Sequence, residues 1–346
     1  MSRTRIRDSK AITTGGHLWY YMVSKMENMA RQPCAARELL EEFKTRERLS
    51  EGEFLIFEDV GGKDVYNITA PFTVNGCSYI AGRVESRRAE SDSEVRFFEE
   101  KKGAWVVVHK APVFRLEDPF VTRVGNELVF GGVETFPCSD AIYSGRLGYR
   151  TVFYRGDSLQ SLQLFAQGPD IMKNIRLIQL RNGEIAVFTR PQSPWVEDAG
   201  RGKIGFMKLP NLDALNTERI LNAKIIDGQF IDNEWGGVNE LRLLKNNRIG
   251  ALGHIAYMDD ESRKHYYAMA FAFDCDTSTQ SPFCIIASRE NFPEGPAKRS
   301  PELDDVIFPG GIIRNRNDRF ATLFTGVSDA RAGRITIPYP FLNSEK

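Results

Sequence analysis

The chain has 346 residues, of which 42% are hydrophobic and 27% charged, with 46 Lys plus Arg balanced by 46 Asp plus Glu. That is enough apolar material for a sizeable core, at a length that all-β architectures reach as one domain. A neutral chain with no basic run gives no support to nucleic-acid binding, which draws its affinity from cations set against phosphate, and no apolar run approaches the ~20 residues that cross a bilayer.

The cysteines Cys34, Cys77, Cys138, Cys275 and Cys284 are odd in number and include no CxxC. They read as reduced thiols in a reducing compartment. The aromatic stretch at residues 18–23 is too short for a signal-peptide core. Arg3, Arg5 and Arg7 among Ser and Thr faintly resemble a transit peptide, but Asp8 and the elements that follow favour a cytoplasmic protein.

Residues 1–50 read as an extension with one helix over 34–48, whose Leu39, Leu40 and Phe43 recur at helical spacing. It is expected to pack outside the main body. From there five segments repeat one layout: an apolar strand, a two-residue turn rich in Asn and Gly, and a second apolar strand. They are 71–74 and 77–83 around Asn75-Gly76, then 120–124 and 127–134 around Gly125-Asn126. The third is 175–180 and 184–190 around Asn182-Gly183; the fourth is 241–244 and 248–254 around Asn246-Asn247. The fifth is 311–314 and 319–325 around Asn317-Asp318. Asn and Gly accept the positive φ of type I′ turns, so each segment predicts a β-hairpin.

The turns fall about 50 to 70 residues apart, which leaves room for two more strands per repeat. Candidates are 95–98 with 105–109, 150–154, 203–207, 265–273 and 334–337. Four-stranded units at this period are propeller blades. The predicted fold is therefore an all-β, five-bladed β-propeller over residues 51–346. A β-sandwich or two separate β-domains would not explain the regular hairpins, and no Pro/Gly/Ser linker divides the chain.

A hairpin brings the start of its first strand and the end of its second to one end of the sheet. Just before the first strands stand Asn67, Asp118, Asn174 and Asn239, with Asp304 and Asp305 further upstream in the fifth repeat. At the ends of the second strands stand Arg83, Val133 followed by Glu134, Arg190, His254 and Thr325. This ring of polar groups is expected at one mouth of the axis, a setting suited to sugar hydroxyls. Each residue alone has a plainer explanation: turn formers for the Asn residues, a surface Arg190, a structural His254, a solvated strand start at Asp304-Asp305. Their common phase in the repeat argues for a site.

The residues at these positions resemble the β-mannoside phosphorylases of glycoside hydrolase family 130, which are five-bladed propellers. Glu117-Asp118-Pro119 resembles their Glu-Asp-Pro, Thr189-Arg190-Pro191 their His-Arg-Pro, Gly253-His254 their Tyr-His-Gly, and residues 304–309 their Asp-Asn-Val-Val-Phe-Pro. The matches keep the family's order over about residues 60 to 330. Still closer in style is a related family of intracellular mannosyltransferase-phosphorylases that build and degrade β-1,2-linked mannan. The resemblance implies an inverting mechanism with Asp118 as general acid and phosphate as nucleophile, replacing the second carboxylate of a glycosidase. It implies phosphate binding by Lys173, Arg190 and His254, and sugar binding by Asn67, Arg83, Asn174 and Asp304, with Asp305 beside it and Tyr257 and Tyr266 flanking the acceptor. Substrates would be oligosaccharides with phosphate, mannose 1-phosphate or GDP-mannose, and no cofactor, metal, nucleic acid or membrane is called for. Two positions depart from the pattern: Thr189 replaces a His, and Trp235 stands where a phosphate-binding Lys is expected. These departures leave open a glycoside hydrolase, with Glu134 or Asp305 as base, and a non-catalytic sugar-binding propeller.

Overall fold

The computed structural model describes residues 33–46, 48–89, 92–137, 147–192, 201–316 and 319–345. The chain is half strand and 7% helix. Helix α1 (Ala36–Lys44) is shorter than predicted. It buries Ala36 and Leu39 among Phe188, Ile255 and Ile285, and its first amide donates to Glu234 Oε1 at 2.7 Å. The helix thus lies against the β-body and shares its core.

The strands follow in mostly antiparallel groups. After β1 (Glu53–Phe54), the first group contains β2 (Phe57–Glu58), β3 (Asp64–Tyr66), β4 (Phe72–Val74), β5 (Cys77–Glu85), β6 (Glu94–Lys101) and β7 (Ala104–Val107). The second is β8 (Glu117–Val124), β9 (Glu127–Pro137), β10 (Leu147–Gly156) and β11 (Gln163–Gln167). The third is β12 (Arg176–Gln179), β13 (Ile185–Thr189), β14 (Gly205–Leu209) and β15 (Lys224–Ile225). The fourth is β16 (Glu234–Leu243), β17 (Ile249–Met258), β18 (Lys264–Asp274), β19 (Thr279–Gln280) and β20 (Cys284–Ala287). The last is β21 (Asp305–Arg314), β22 (Phe320–Val327) and β23 (Arg331–Pro338), and β1 completes it by pairing antiparallel with β23. A short parallel contact, His265 with Asp305 and Tyr266 with Val306, joins the fourth and last groups into one nine-stranded sheet.

Four of the predicted turns close hairpins as expected: Asn75 (φ 50°) and Gly76 (79°), Gly125 (58°), Gly183 (90°) and Asn247 (66°) are all left-handed. The fifth, Asn317-Asp318, lies outside the described residues. A core cluster sits at each junction between neighbouring groups. Phe97 packs with Phe130 at the first junction, Phe153 with Leu177 and Val187 at the second, Phe188 with Phe273 at the third, Ile286 with Ile307 at the fourth. A further cluster sets Ile68 and Phe98 of the first group against Phe324 and Ala332 of the last. The groups therefore close head to tail, and burial at these junctions, at roughly 1.5–3 kcal/mol for each large apolar side chain, holds the ring together.

Candidate active site

Closing the ring brings together the chain just before or within the first strand of each group, and here the backbone is irregular. Asn67 (φ 46°), Asp118 (47°) and Asn174 (60°) are all left-handed. The ladder slips between Glu117 and Phe120 and again around Asn239. Asp and Asn tolerate this conformation better than other non-glycine residues, and a bulge re-aims the side chain it carries. That is why polar residues occupy these points of otherwise apolar strands.

A cavity of about 350 Å³ opens over Asn67 and Asp118, lined also by Arg83, Glu117, Tyr149, Lys173, Lys264, Tyr266, Lys298 and Asp329, among others, while Asn174 and Asn239 are buried outside its lining. Asp118 is buried at its floor. Its Oδ1 accepts from Asn67 Nδ2 at 2.8 Å and from Arg83 Nη1 at 3.3 Å. Burial alone would raise its pKa, but Arg83, Lys173, the Asn67 hydrogen bond and Arg176 together hold it below the usual carboxylate range. Its neighbour Glu117, 3.0 Å from Arg83, goes the other way: burial raises it and outweighs the attraction of Arg83. Two adjacent carboxyls are thus pushed apart in proton affinity, an arrangement typical of acid–base sites.

Arg83 is itself held from below. Its Nη2 lies 3.2 Å from both oxygens of the fully buried Glu85, which also accepts from Tyr66 and from Lys298 Nζ. Lys298 therefore reaches the cavity from a segment more than 200 residues away in sequence.

Arg190 and His254 do not line the cavity wall; they lie behind it. His254 stacks on Tyr266 (ring centroids 5.5 Å apart) and contacts Phe308, and both of these rings face the cavity. Arg190 Nε donates to Gly236 O at 2.7 Å. Burial lowers the Arg190 pKa, partly opposed by Tyr266, Tyr149 and Asp118. His254, a phosphate-binding residue by the resemblance, is neutral here: burial, then Arg190, Lys173 and Arg176, hold its pKa well below the normal value. Its Nδ1 faces Asn239 Oδ1 at 2.8 Å. As a neutral imidazole donating there, it keeps Nε2 as an acceptor.

Arg176, which the sequence reading missed, crosses above Phe120 at 4.2 Å, with its Nε on Asn239 O. Among the described residues no carboxylate lies within ion-pair distance of Lys173, Arg176 or Arg190. Unpartnered buried polar atoms gather around them: Asn67 Oδ1, Arg83 Nε, Asn174 Nδ2, Thr189 Oγ1 and Asn239 Nδ2.

Tyr257, Asp304 and Asp305 lie outside the cavity lining. Strand alternation accounts for two of them. On β18, Tyr266 faces the cavity, so His265 and Tyr267 face away. Asp305 accepts from both of those, at 2.7 Å each, and Tyr257 stacks on His265 at 4.5 Å. Asp304 is exposed and accepts from Ser300. Glu134 pairs with Arg150. Trp235 donates its Nε1–H to Tyr266 OH at 2.9 Å, fixing a cavity wall at the position where a lysine was expected. Asp329 and Lys298 are cavity residues that the hairpin pattern did not bring out.

The family described as "Protein of unknown function (DUF1861)" matches residues 41–343. The chain belongs to this family. Solved structures add detail to the DUF1861 assignment. A mannose phosphorylase from Leishmania mexicana, solved with a phosphate ion, is 35% identical over 93% of this chain and 96% of its own, with a TM-score of 0.79. A GDP-Man-dependent mannosyltransferase from the same organism is 35% identical over 90% and 97%, with a TM-score of 0.80. An α-L-arabinanase from Penicillium chrysogenum, 10% identical over 83% and 98%, has a TM-score of 0.52. That similarity extends to the fold alone. Among curated proteins none matches.

Proposed function

We propose that this chain is an inverting mannoside phosphorylase or mannosyltransferase on a five-bladed propeller spanning residues 51–346. It would move mannose between a β-mannan oligosaccharide and phosphate or a nucleotide sugar. The two Leishmania relatives, at 35% identity over most of the chain, support mannosyl transfer of this kind. The observation that carries the reading is the set of three cations, Lys173, Arg176 and Arg190, gathered without carboxylate partners behind and beside Asp118. Burying an uncompensated cation costs several kcal/mol, and an anionic co-substrate removes that cost when it binds. Arg190 offers the planar fork suited to phosphate, and neutral His254 accepts a hydrogen bond from a phosphate hydroxyl through Nε2.

In phosphorolysis the phosphate oxygen forms its bond to the anomeric carbon as the bond to the leaving oxygen breaks. Asp118 delivers its proton to that oxygen. In the free enzyme Asp118 is ionised, which suits the base required when the reaction runs towards glycan synthesis. Bound phosphate would neutralise Lys173, one of the cations that keep Asp118 ionised, and so raise its proton affinity for the opposite direction.

A hydrolase reading has one observation in its favour: Glu117 and Asp329 place further carboxyls at the same cavity. Product analysis decides between them. A β-1,2-mannan oligosaccharide incubated with phosphate is expected to yield mannose 1-phosphate, and Arg190→Ala to abolish that release. Free mannose as the main product in saturating phosphate, unaffected by Arg190→Ala, would establish hydrolysis. No product under any condition, including with GDP-mannose, would leave a binding protein.

A further inference from the structure

The β9–β10 ribbon has two faces, and only one of them belongs to the catalytic cavity. Thr135 pairs with Tyr149 across the ribbon, and Glu134 with Arg150. Val133, Thr135, Leu147 and Tyr149 line the catalytic cavity, so by strand alternation Glu134, Phe136 and Arg150 take the other face. On that face lies a second cavity of about 430 Å³, lined by Arg150, Asp170, Thr217 and Leu221, among others. Glu134 thus shares the repeat phase of Arg83, Arg190 and His254 but serves a different space.

The polar groups at this second cavity are set in advance. Arg150 donates from Nε to Glu134 Oε2 at 2.9 Å and from Nη1 to Asp170 Oδ1 at 3.0 Å. Its Cζ lies 4.2 Å from the centroid of the Phe136 ring, a stacking contact suited to a planar guanidinium. Gly148, opposite Phe136, leaves the room for it: a Cβ there would meet Phe136 Cε2 at 2.5 Å. The Arg150 side chain is 23% exposed, against 43% for Glu134 and 53% for Asp170. The cation is therefore largely covered, while each carboxylate keeps a second oxygen that accepts from no donor among the described residues. Leu221, in the short helix Thr217–Leu221, is 45% exposed and adds an apolar surface. Two charged acceptors spaced by a guanidinium, beside one apolar patch, suit a sugar, which has hydroxyls to donate and a C–H face to cover.

The two cavities are close. Asp170 lines the second and Lys173 the catalytic one, and three residues of chain span at most about 11 Å. That stretch is fastened to the ribbon: Ile171 N donates to Tyr149 O at 2.6 Å, and Thr151 N to Met172 O at 3.1 Å. An oligosaccharide of a few units would reach from one cavity to the other.

We propose that the second cavity is a retaining site for the glycan chain. It holds, without reacting, a sugar remote from the one in the catalytic cavity, whose hydroxyls meet Glu134 and Asp170 and whose C–H face covers Leu221. The assignment rests on the sugar-transfer reading above and extends it to a place where no bond is made or broken. A chain tethered in the first cavity is presented to the second at roughly millimolar concentration, so even a weak second site raises affinity.

The test is initial rates and calorimetric titration with β-1,2-mannan oligosaccharides from disaccharide to octasaccharide, using wild type, Asp170→Ala and Leu221→Ala. Both positions are exposed, and melting curves confirm that the variants fold. In wild type the KM should fall about 10-fold from the shortest chain to the longest, the gain expected of a weak tethered site. In both variants the octasaccharide KM should return to the disaccharide value, with disaccharide KM and kcat within about twofold of wild type. A wild-type affinity that does not change with length would overturn the assignment, as would a length gain that survives in both variants. So would an equal rise in KM for disaccharide and octasaccharide, because the two residues would then act on the catalytic cavity. Length-dependent binding lost in both variants, in a protein that releases no product, would refute the transfer reading and leave the retaining site standing. No binding of any oligosaccharide would overturn both.

Discussion

Replacing Gly237 by alanine probes the anion-binding layer without removing a charge. A Cβ at Gly237 would sit 2.7 Å from Arg190 Cδ and 3.1 Å from His254 Cε1. Comfortable carbon contacts lie near 3.5–4.0 Å, so the Arg190 arm must retreat by about 1 Å. It cannot do so freely, because its Nε is held on Gly236 O, one residue away. The fork therefore leaves the position where it would meet phosphate. Losing one charge-assisted hydrogen bond, at ~1.5–3 kcal/mol, corresponds to a rise of about 10- to 150-fold in phosphate KM. Overpacking costs ~1–3 kcal/mol, within the ~5–15 kcal/mol of a typical fold, so the variant should remain folded with a melting point lowered by a few degrees. Initial rates of mannose 1-phosphate release over a range of phosphate concentrations, with circular dichroism to check folding, measure both effects. A folded Gly237→Ala enzyme with unchanged phosphate KM would refute the placement of phosphate on Arg190 and His254.

Asp118→Asn should lower the rate at least ~100-fold, the usual scale of general acid catalysis, yet fold normally, since Arg83 keeps Glu85 and Glu117 as partners; near-full activity would remove Asp118 from the chemistry. Its depressed pKa also sets a pH signature. The stability it contributes is complete above its ordinary value of 3.8 and is lost as pH falls through the lower folded value. Acid melting curves below about pH 4 should therefore fall more steeply for wild type than for Asp118→Asn, and parallel curves would contradict the assigned shift. Trp235→Phe removes the hydrogen bond that fixes Tyr266, at ~1 kcal/mol. The sugar KM should rise about fivefold with phosphate KM unchanged, and a selective effect on phosphate would instead tie Trp235 to the anion.

What could be read in advance followed from local chemistry. Asn75-Gly76 and Asn182-Gly183 mark their turns because few other residues accept the backbone those turns need, and the strands on either side follow by alternation. Asn67, Asp118 and Asn174 could be found because each is the polar interruption at one point of a repeated unit. Other features depend on partners far apart in sequence. Glu85 reads as an ordinary strand residue until Tyr66, Arg83 and Lys298 converge on it. Asp329 sits in a turn with no glycine to announce it. Asp305 and Tyr257 were misplaced for a subtler reason: being near the right strand end does not say which face of the sheet a side chain takes, and a shift of one residue exchanges the faces. The neutrality of His254 comes first from its burial and then from Arg190, Lys173 and Arg176, a setting that only the closed ring brings about.

The pairing of β1 with β23 has a consequence for how the molecule is made. The last group of strands borrows its outer member from a segment translated some 280 residues earlier. A chain still emerging from the ribosome can fold its early hairpins, but Glu53 and Phe54 must wait for Arg334 and Gly333 before the circle is sealed. Until then the apolar flank of the first group, with Ile68 and Phe98, has no Phe324 to cover it. Such a nascent chain carries an open seam throughout synthesis, the kind of transient surface on which non-local β-proteins are exposed to aggregation. A stall or truncation before β22 would therefore produce a sticky species, whereas a nick at exposed Ile56, made after closure, would leave β1 joined to the packed helix α1 and paired with β23.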